Sequence, residues 1–173
     1  MKLKIKVKVL TKGCMPVVMD KGDLIDLRAA ENYKFHAPQA GVQYQRDKVK
    51  YRDVKFDEQV IRLGVAMELP KGMMAKLKGR SSLTKKHGVV MACSGEIDNS
   101  YCGNNDEWLF RVFAIREGKI DALDRICQFE IVPNQKATMW QKIKWLLSSG
   151  IELVEVDSLN NEDRDGFGST GSK

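Results

Sequence analysis

Many short strand-like stretches, separated by turns, are the feature that most restricts the fold of this chain. Glycine and proline lie between them, as in Glu68-Leu69-Pro70-Lys71-Gly72. The stretches are 2–10, 59–67, 74–78, 89–91, 108–114, 125–132 and 151–156. Short strands without alternating helices predict an all-β sandwich or barrel. The 173 residues are the length of one ordinary domain.

Two segments interrupt this strand pattern. In 42–56, apolar residues alternate with charged and amide residues, which predicts a protruding β-arm with its turn near Asp47. In 138–149, apolar residues recur at helical spacing, at Met139, Ile143, Leu146 and Leu147. Gly150 is placed to end that helix.

The apolar stripe of the predicted helix has two interpretations. It packs onto the β-core or at a subunit boundary, which we favour. Alternatively, Lys142 and Lys144 beside Trp140 and Trp145 make it a membrane-surface or partner-binding helix.

The net charge of +6, from 29 basic and 23 acidic residues, favours anionic partners. Nucleotides and nucleic acid both qualify. The lysines at 2, 4, 6 and 8, however, alternate with apolar residues, as on a strand with one solvated face. We therefore expect no stable nucleic-acid binding.

The sequence gives no sign of export or membrane insertion. No apolar run approaches the roughly 18 residues of a membrane span, and the start at Met1 lacks a signal-peptide pattern. A cytoplasmic protein is expected. The four cysteines match no zinc spacing, so we expect reduced and mostly buried thiols at Cys14, Cys93, Cys102 and Cys127.

Several common catalytic arrangements are missing from the sequence. There are two histidines and no G-x-S-x-G elbow, which argues against a catalytic triad. Neither a P-loop nor a G-x-G-x-x-G turn occurs. Any nucleotide must be held in another way.

Two turn-containing stretches carry groups suited to phosphate and sugar. Gly79-Arg80-Ser81-Ser82-Leu83 offers a guanidinium fork, hydroxyls and loop amides for phosphate oxygens, although a Ser-Ser turn with a solvent arginine is common. The segment 95–103 is typical of a tight hairpin with Asp98 and Tyr101 near its tip and glycines at its ends. A local cap at Asp98 and a half-buried core tyrosine explain it equally well.

Two further stretches and the tail complete the candidates. Asp26-Leu27-Arg28-Ala29 and Asp124-Arg125-Ile126-Cys127-Gln128 place charges beside strand residues, where charges are usually paired or solvated. The tail 160–173 is rich in glycine and polar residues. Its single Phe and single Arg, followed by Ser-Thr, suit a lid over an aromatic base and a phosphate.

In order along the chain, these stretches resemble the five motifs of the trimeric dUTPases. The fifth motif is Arg164-Asp165-Gly166-Phe167-Gly168-Ser169-Thr170-Gly171, and the third is the segment 95–103. The resemblance covers nearly the whole chain. Flanking phrases such as Asn161-Glu162-Asp163-Arg164 are similar to those of dUTPases from Gram-positive bacteria and their prophages.

The resemblance implies an all-β, dUTPase-like β-barrel or jelly roll that assembles as a homotrimer with shared active sites. The domain would span 1–159, with insertions at 42–56 and 138–149, and 160–173 would be a flexible lid. The implied reaction is hydrolysis of dUTP to dUMP and pyrophosphate, by Mg2+-assisted in-line attack of water on the α-phosphorus. Its roles would be to limit uracil incorporation into DNA and to supply dUMP for thymidylate synthesis.

The resemblance also implies a role for each motif residue. Asp98 would activate the water, and Asp26 would touch Mg2+ through water. The residues implied to bind the phosphates are Arg80, Ser81, Ser82, Gln128, Arg164, Ser169 and Thr170. Those implied to bind uracil and deoxyribose are Gly95, Ile97, Asn99, Tyr101, Phe167 and Gly168.

The chain departs from the family pattern at two positions, and two rival functions remain. Many members carry an arginine five residues before the lid Phe, where this chain has Glu162; Cys102 replaces a residue that is often basic. A dCTP deaminase shares the fold and the Arg-Ser-Ser-Leu stretch but lacks the Asp98-x-x-Tyr101-x-Gly103 arrangement. A nucleotide-sensing or regulator-binding protein would use the arm or the helix to engage a protein partner.

Overall fold

Two five-stranded sheets form the body of the protein. The computed structural model describes residues 1–19 and 21–164. The first sheet has the order β14-β1-β7-β11-β9, with β1 Leu3–Val9, β7 Glu58–Glu68, β9 Val89–Met91, β11 Glu107–Ala114 and β14 Ile151–Glu155. The second has the order β10-β8-β13-β3-β2, with β2 Val17–Val18, β3 Ile25–Arg28, β8 Met73–Gly79, β10 Gly95–Ile97 and β13 Arg125–Pro133.

Two smaller sheets and two helices complete the described chain. β4 (Tyr33–Phe35) pairs with β12 (Gly118–Ile120), and β5 (Gln39–Arg46) pairs with β6 (Val49–Lys55). The helices are α1 (Leu83–His87) and α2 (Met139–Leu146). All seven predicted strands are present, so the all-β prediction is confirmed. The sequence patterns missed α1 and the short strands β2, β4 and β12, which have too few residues to show a periodicity.

Strand β1 shows how the sequence pattern positions the sheets. Leu3, Ile5 and Val7 are buried while the lysines between them face outward. The Lys6 ammonium lies 3.1 Å from the Glu68 carboxylate on β7. The interpretation of these lysines as a solvated strand face is confirmed.

The core lies between the two large sheets. Its largest fully buried side chains come from both of them, and Trp108 of β11 meets Phe129 of β13 edge to face at 5.0 Å. This packing positions β13, which carries Gln128, and its partner β8, which ends directly before Arg80.

The predicted arm is confirmed as a two-stranded sheet, although it begins at Gln39 rather than at position 42. Its turn contains Asp47 and Lys48, both with positive φ, 50° and 67°. Such a turn matches the twist of the two strands. The rings of Tyr44 and Tyr51 stack across the arm at 5.6 Å.

The predicted helix is also present, but its packing differs from the expectation. Thr138 and Gln141 form a capping box at its N-terminus. Trp145 donates its Nε1–H to the Ile131 carbonyl at 3.0 Å and packs on the core. Leu146 and Leu147 are 70% and 73% exposed. Only part of the stripe therefore packs onto the β-core of its own chain, and the subunit-boundary alternative stays a prediction. No helix in the described ranges is long and apolar enough to cross a membrane.

The cysteines, all within the described ranges, are free thiols. Cys14 and Cys127 are fully buried, as expected, and burial raises the pKa of the Cys127 thiol well above its usual value. Cys93 is exposed and Cys102 is half-buried, so the expectation of mostly buried thiols holds for two of the four.

Candidate active site

The segment 95–103 is not the closed hairpin that its sequence predicts. Its first strand, β10, pairs with β8, and a turn follows in which the Tyr101 amide donates to the Asp98 carbonyl at 3.2 Å. The next strand, β11, pairs with β7 and β9 instead. The turn is nevertheless formed as expected and presents Asp98 and Tyr101 together.

Asp98 is a partly exposed carboxylate held by donors from two residues. Its Oδ1 accepts the Ser100 amide at 2.8 Å and also contacts the Ser100 hydroxyl. Arg164 Nη1 lies 2.8 Å from Asp98 Oδ2. Burial alone would raise the pKa of Asp98, but the hydrogen bonds from Ser100 and Arg164 outweigh it and hold that pKa below its ordinary value. The group is therefore ionised at neutral pH and able to orient a water.

Two side chains fix the turn from below. The Tyr101 hydroxyl donates to the Glu107 carbonyl at 2.9 Å, and its ring is half-buried against the core. Asn99 Nδ2 donates to the Leu69 and Pro70 carbonyls at 2.9 and 3.1 Å. Both the structural and the functional interpretations of Tyr101 are compatible with this placement, because the side chain is only partly buried.

The glycines at the ends of the segment serve this chain's own packing. A Cβ at Gly95 would lie 2.7 Å from Leu77 Cβ, and a Cβ at Gly103 would lie 2.4 Å from Asp163 Cα. We expected these glycines to let the backbone approach a ligand closely, but contacts within the chain already explain why a side chain is excluded at both positions.

Asp26 lies beneath two arginines on the second sheet. Its side chain is 5% exposed; Arg80 Nε lies 3.4 Å from Oδ1, and Arg125 Nη1 lies 3.1 Å from Oδ2. Arg80 also donates from Nη1 to the Arg125 carbonyl at 3.3 Å. The carboxylate thereby compensates two cations and orients Arg80.

Three other predicted phosphate-binding residues, Ser81, Ser82 and Gln128, lie on or next to the strands that position Arg80 and Asp26. Gln128 lies opposite Asp26 on β3 and opposite Lys78 on β8. Ser81 is exposed, and Ser82 is the N-cap residue of α1. With Arg80, these side chains form a donor-rich surface at the end of β8.

The structure separates the two halves of the candidate site within one chain. The register of β10 on β8 puts Ile97 opposite Ala75, so Asp98 follows near Met74. Arg80 lies six residues further along, about 20 Å at about 3.3 Å per strand residue. One chain therefore does not bring Asp98 together with Arg80.

Several predicted residues fall outside the described part of the chain. These are Phe167, Gly168, Ser169 and Thr170. Ile97 is half-buried against the core at the end of β10. Arg164, expected at the phosphates, pairs with Asp98 instead, so its phosphate contact remains a prediction.

No group of three or more His, Cys, Asp or Glu side chains that could hold a metal ion occurs in the described ranges. Asp26, the one residue expected to touch Mg2+ through water, has both oxygens beside arginines. Each oxygen keeps a further lone pair, so a water contact remains compatible with this geometry.

A family model described as dUTPase matches residues 47–171 of the chain. The chain belongs to the dUTPase family. It is 40% identical to the SPbeta prophage-derived deoxyuridine 5'-triphosphate nucleotidohydrolase of Bacillus subtilis (strain 168), over 99% of this chain and 100% of that protein. It is 36% identical to the deoxyuridine 5'-triphosphate nucleotidohydrolase of Hydrogenobaculum sp. (strain Y04AAS1), over 68% and 74% of the two chains.

Solved dUTPase structures share the fold. The dUTPase of Staphylococcus bacteriophage 80alpha, studied as a mutant with dUpNHpp, superposes with a TM-score of 0.58 at 20% identity, over 96% of this chain and 98% of that one. The dUTPase of phage phi11 of S. aureus gives 0.57 at 21% identity, over 78% and 93%. A point mutant of the phi11 enzyme, with a TM-score of 0.58 at 19% identity over 78% and 94%, is described as revealing the coordination of a structural Mg(II) ion.

Two residues of this dUTPase site gained no role from the sequence. Arg125 stood within a recognised motif, but its reach to Asp26 depends on strand pairing that spans 99 residues. Asp106 is 2% exposed and belongs to none of the five motifs. Its sequence signal is an acid after Gly103-Asn104-Asn105 and just before the apolar residues of β11.

Proposed function

We propose that this protein hydrolyses dUTP to dUMP and pyrophosphate. The observation that carries the proposal is the Asp98 carboxylate, ionised and held on the turn of the segment 95–103. Family membership and the 40% identity to a deoxyuridine 5'-triphosphate nucleotidohydrolase support the choice of substrate. Its roles would be to limit uracil incorporation into DNA and to supply dUMP.

Asp98 accepts a hydrogen bond from the attacking water and takes its proton as the water adds in line to the α-phosphorus. The bond from the α-phosphorus to the bridging oxygen breaks, and pyrophosphate leaves. The depressed pKa of Asp98 keeps it in the basic form at neutral pH. No covalent intermediate is required.

The donors at the end of β8 stabilise charge on the phosphates. Arg80, Ser81, Ser82 and Gln128 are the side chains proposed for this role, with Arg80 held in place by Asp26. Fixed donors are effective because they need no reorganisation as negative charge grows on the bridging oxygen.

Mg2+ neutralises the triphosphate and orients its oxygens when it is bound. Asp26 would help to hold the ion through a bridging water, and the substrate phosphates would supply its other ligands.

Uracil and deoxyribose bind on the turn segment. Gly95, Ile97 and Asn99 present backbone groups to the base, and Tyr101 lies under the sugar, where its anchored hydroxyl prevents the ring from moving aside. Phe167 and Gly168 cover the base, while Ser169 and Thr170 reach the γ-phosphate, as parts of the proposed lid 160–173.

The active protein is proposed to be a homotrimer. Asp98 and Arg80 are about 20 Å apart along β8, whereas water activation and phosphate binding must occur on one substrate. Two different subunits supplying the two halves resolve this separation. The exposed stripe of α2 is a candidate part of a subunit boundary.

The test is pyrophosphate release from dUTP, dCTP, dTTP and UTP with Mg2+, beside a light-scattering mass. Release from dUTP alone by a trimer supports the proposal. Ammonia release from dCTP would replace it with the deaminase alternative. No turnover of any of the four would leave a binding or regulatory protein.

A second role, binding of a regulatory protein, is suggested by the arm. Val49, Tyr51, Val54 and Phe56 are exposed hydrophobic residues on or beside β6. Such a role is compatible with catalysis. It fails if protein lacking the arm recovers the same partners as the intact chain.

A further inference from the structure

The last described residues of the chain are fastened to the loop that follows the turn segment. We call this contact the clasp: loop residues 102–106 and tail residues 158–164. Asn105 donates its amide and its Nδ2 to the Asp163 carboxylate at 2.7 and 2.6 Å. Asn104 Oδ1 accepts the Leu159 amide at 3.0 Å, and Leu159 is buried. The tail therefore begins at a built surface of the protein.

Asp106 lies at the centre of the clasp. It is 2% exposed, and its two oxygens serve the two sides of the contact. Oδ2 accepts the Gly103 amide at 2.7 Å, and Oδ1 accepts the Arg164 amide at 2.8 Å. A carboxylate suits this position because both of its oxygens can accept.

The fit at Gly103 leaves no room for a side chain. A Cβ there would lie 2.4 Å from Asp163 Cα and 2.7 Å from the Asp163 amide nitrogen, both backbone atoms. The loop and the tail are thus matched at backbone level, in addition to their side-chain hydrogen bonds.

The clasp determines where the Arg164 side chain can reach. Asp106 fixes the Arg164 backbone, and the guanidinium then meets Asp98 at 2.8 Å and also contacts Ser100. Asp106 is itself joined to the turn segment through Gly103. One buried carboxylate therefore links the tail to the group proposed to activate water.

We propose that Asp106 is a positioning residue for the reaction, acting through Arg164 to hold the Asp98 carboxylate in its working orientation. This inference rests on the proposed function. Asp106 itself contacts neither substrate nor the reacting atoms.

The inference predicts a change in pH dependence. Among residues 1–19 and 21–164, the charged and titratable groups near Asp98 are Arg164 from the tail and Cys102 from its own loop, with Glu68 and Asp106 near Cys102. Arg164 lowers the pKa of Asp98, so loss of its contact raises that pKa. Because Asp98 must be ionised to act, the acid limb of the kcat/KM profile moves to higher pH.

The experiment compares Asp106→Asn with the unaltered chain and with Asp157→Asn, an exposed aspartate that matches the chemical change. In D106N the side-chain amide oxygen can still accept one of the two backbone N–H groups, from Gly103 or Arg164. The side-chain NH2 then faces the other N–H, and two donors cannot form a hydrogen bond. We expect kcat/KM for dUTP to fall about tenfold on the acid side, the size of a lost charge-assisted hydrogen bond. D157N should behave as the unaltered chain.

Two further variants separate positioning from loss of structure. If Asp106 acts through Arg164, D106N combined with Arg164→Gln should lose no more activity than R164Q alone. Gly103→Ala displaces the tail while leaving Asp106 and Asp98 unchanged, and should move the acid limb in the same direction. If D106N does not fold, the pH profile of G103A tests the inference instead.

The outcomes distinguish this inference from the proposed function. If the unaltered chain does not turn over dUTP, the proposed function is refuted. Hydrogen exchange at the Arg164 amide then tests the clasp separately: exchange should be slow in the unaltered chain and faster in D106N. An active chain whose pH profile and turnover are the same in D106N and G103A overturns the positioning role. Additive losses in D106N and R164Q would also overturn it.

Discussion

Replacing Asp26 by Asn should destabilise the protein before any substrate is present. Asn has the same shape as Asp but lacks the negative charge that compensates Arg80 and Arg125. The side-chain NH2 of Asn would also face an N–H donor of one of these arginines, where no hydrogen bond can form. Breaking a fully buried ion pair costs roughly 3–5 kcal/mol. The arginine side chains are 27% and 33% exposed, so water offsets part of this loss. We expect a decrease of about 2 kcal/mol in the free energy of unfolding.

Urea denaturation at fixed protein concentration measures this change, because assembly makes apparent stability depend on concentration. For a chain of this length the corresponding fall in Tm is about 4–8 °C. Asp121→Asn is the matched control: it removes an exposed ion pair of 2.8 Å with Lys119 and should leave the midpoint unchanged.

The same variant should raise KM for dUTP, since Arg80 loses the carboxylate that orients it. One result would refute the reasoning. If D26N unfolds at the same urea concentration as the unaltered chain but loses turnover, Asp26 acts only on the substrate and its metal, and the two arginine contacts carry no stability.

Three further predictions follow from the site and the core. Asp98→Asn should retain dUTP binding, measured by calorimetry, while kcat falls about a thousandfold because the water loses its base; normal turnover would remove Asp98 from this role. Trp108→Ala should cost about 3–5 kcal/mol in denaturant titration, because this fully buried ring packs on Phe129; a loss under about 1 kcal/mol would contradict the core assignment. Burial raises the pKa of Tyr33 from 10.0 to about 12. Because the folded-state pKa is raised, the stability that the neutral phenol contributes is present below pH 10.0 and is lost as pH rises through about 12. Ultraviolet titration of Tyr33→Phe should lack one of the late-ionising phenols of the unaltered chain, while that of Tyr101, whose pKa burial also raises, remains; an unchanged titration curve would contradict the assignment.

The fold was predictable where burial follows a simple period. The alternation in β1 and the turn of the arm near Asp47 both depend on neighbouring residues, and both are confirmed. The helix from Met139 was located correctly by its spacing and its ending, but its buried face was not. A single tryptophan hydrogen bond, from Trp145 to Ile131, orients it, and local sequence does not encode that partner.

The sequence identified which residues belong to the candidate site, but not the distances between them. Motif order named Asp98 and Arg80, yet their separation along β8 depends on the pairing of β10 with β8. The closed hairpin failed for the same reason, since β11 takes its partners from the other sheet. The contact of Arg164 with Asp98 arises across 66 residues of sequence and could be found only in three dimensions.

Mixing two inactive variants tests the central claim, hydrolysis of dUTP at sites shared between subunits. Asp98→Asn and Arg80→Ala should each lack activity as pure trimers. In trimers reassembled from equal amounts of both, about a quarter of the sites should combine an intact Asp98 from one subunit with an intact Arg80 from another. Recovery of about that fraction of dUTP turnover is the predicted result. No recovery, with mixed trimers present by mass spectrometry, would contradict the account.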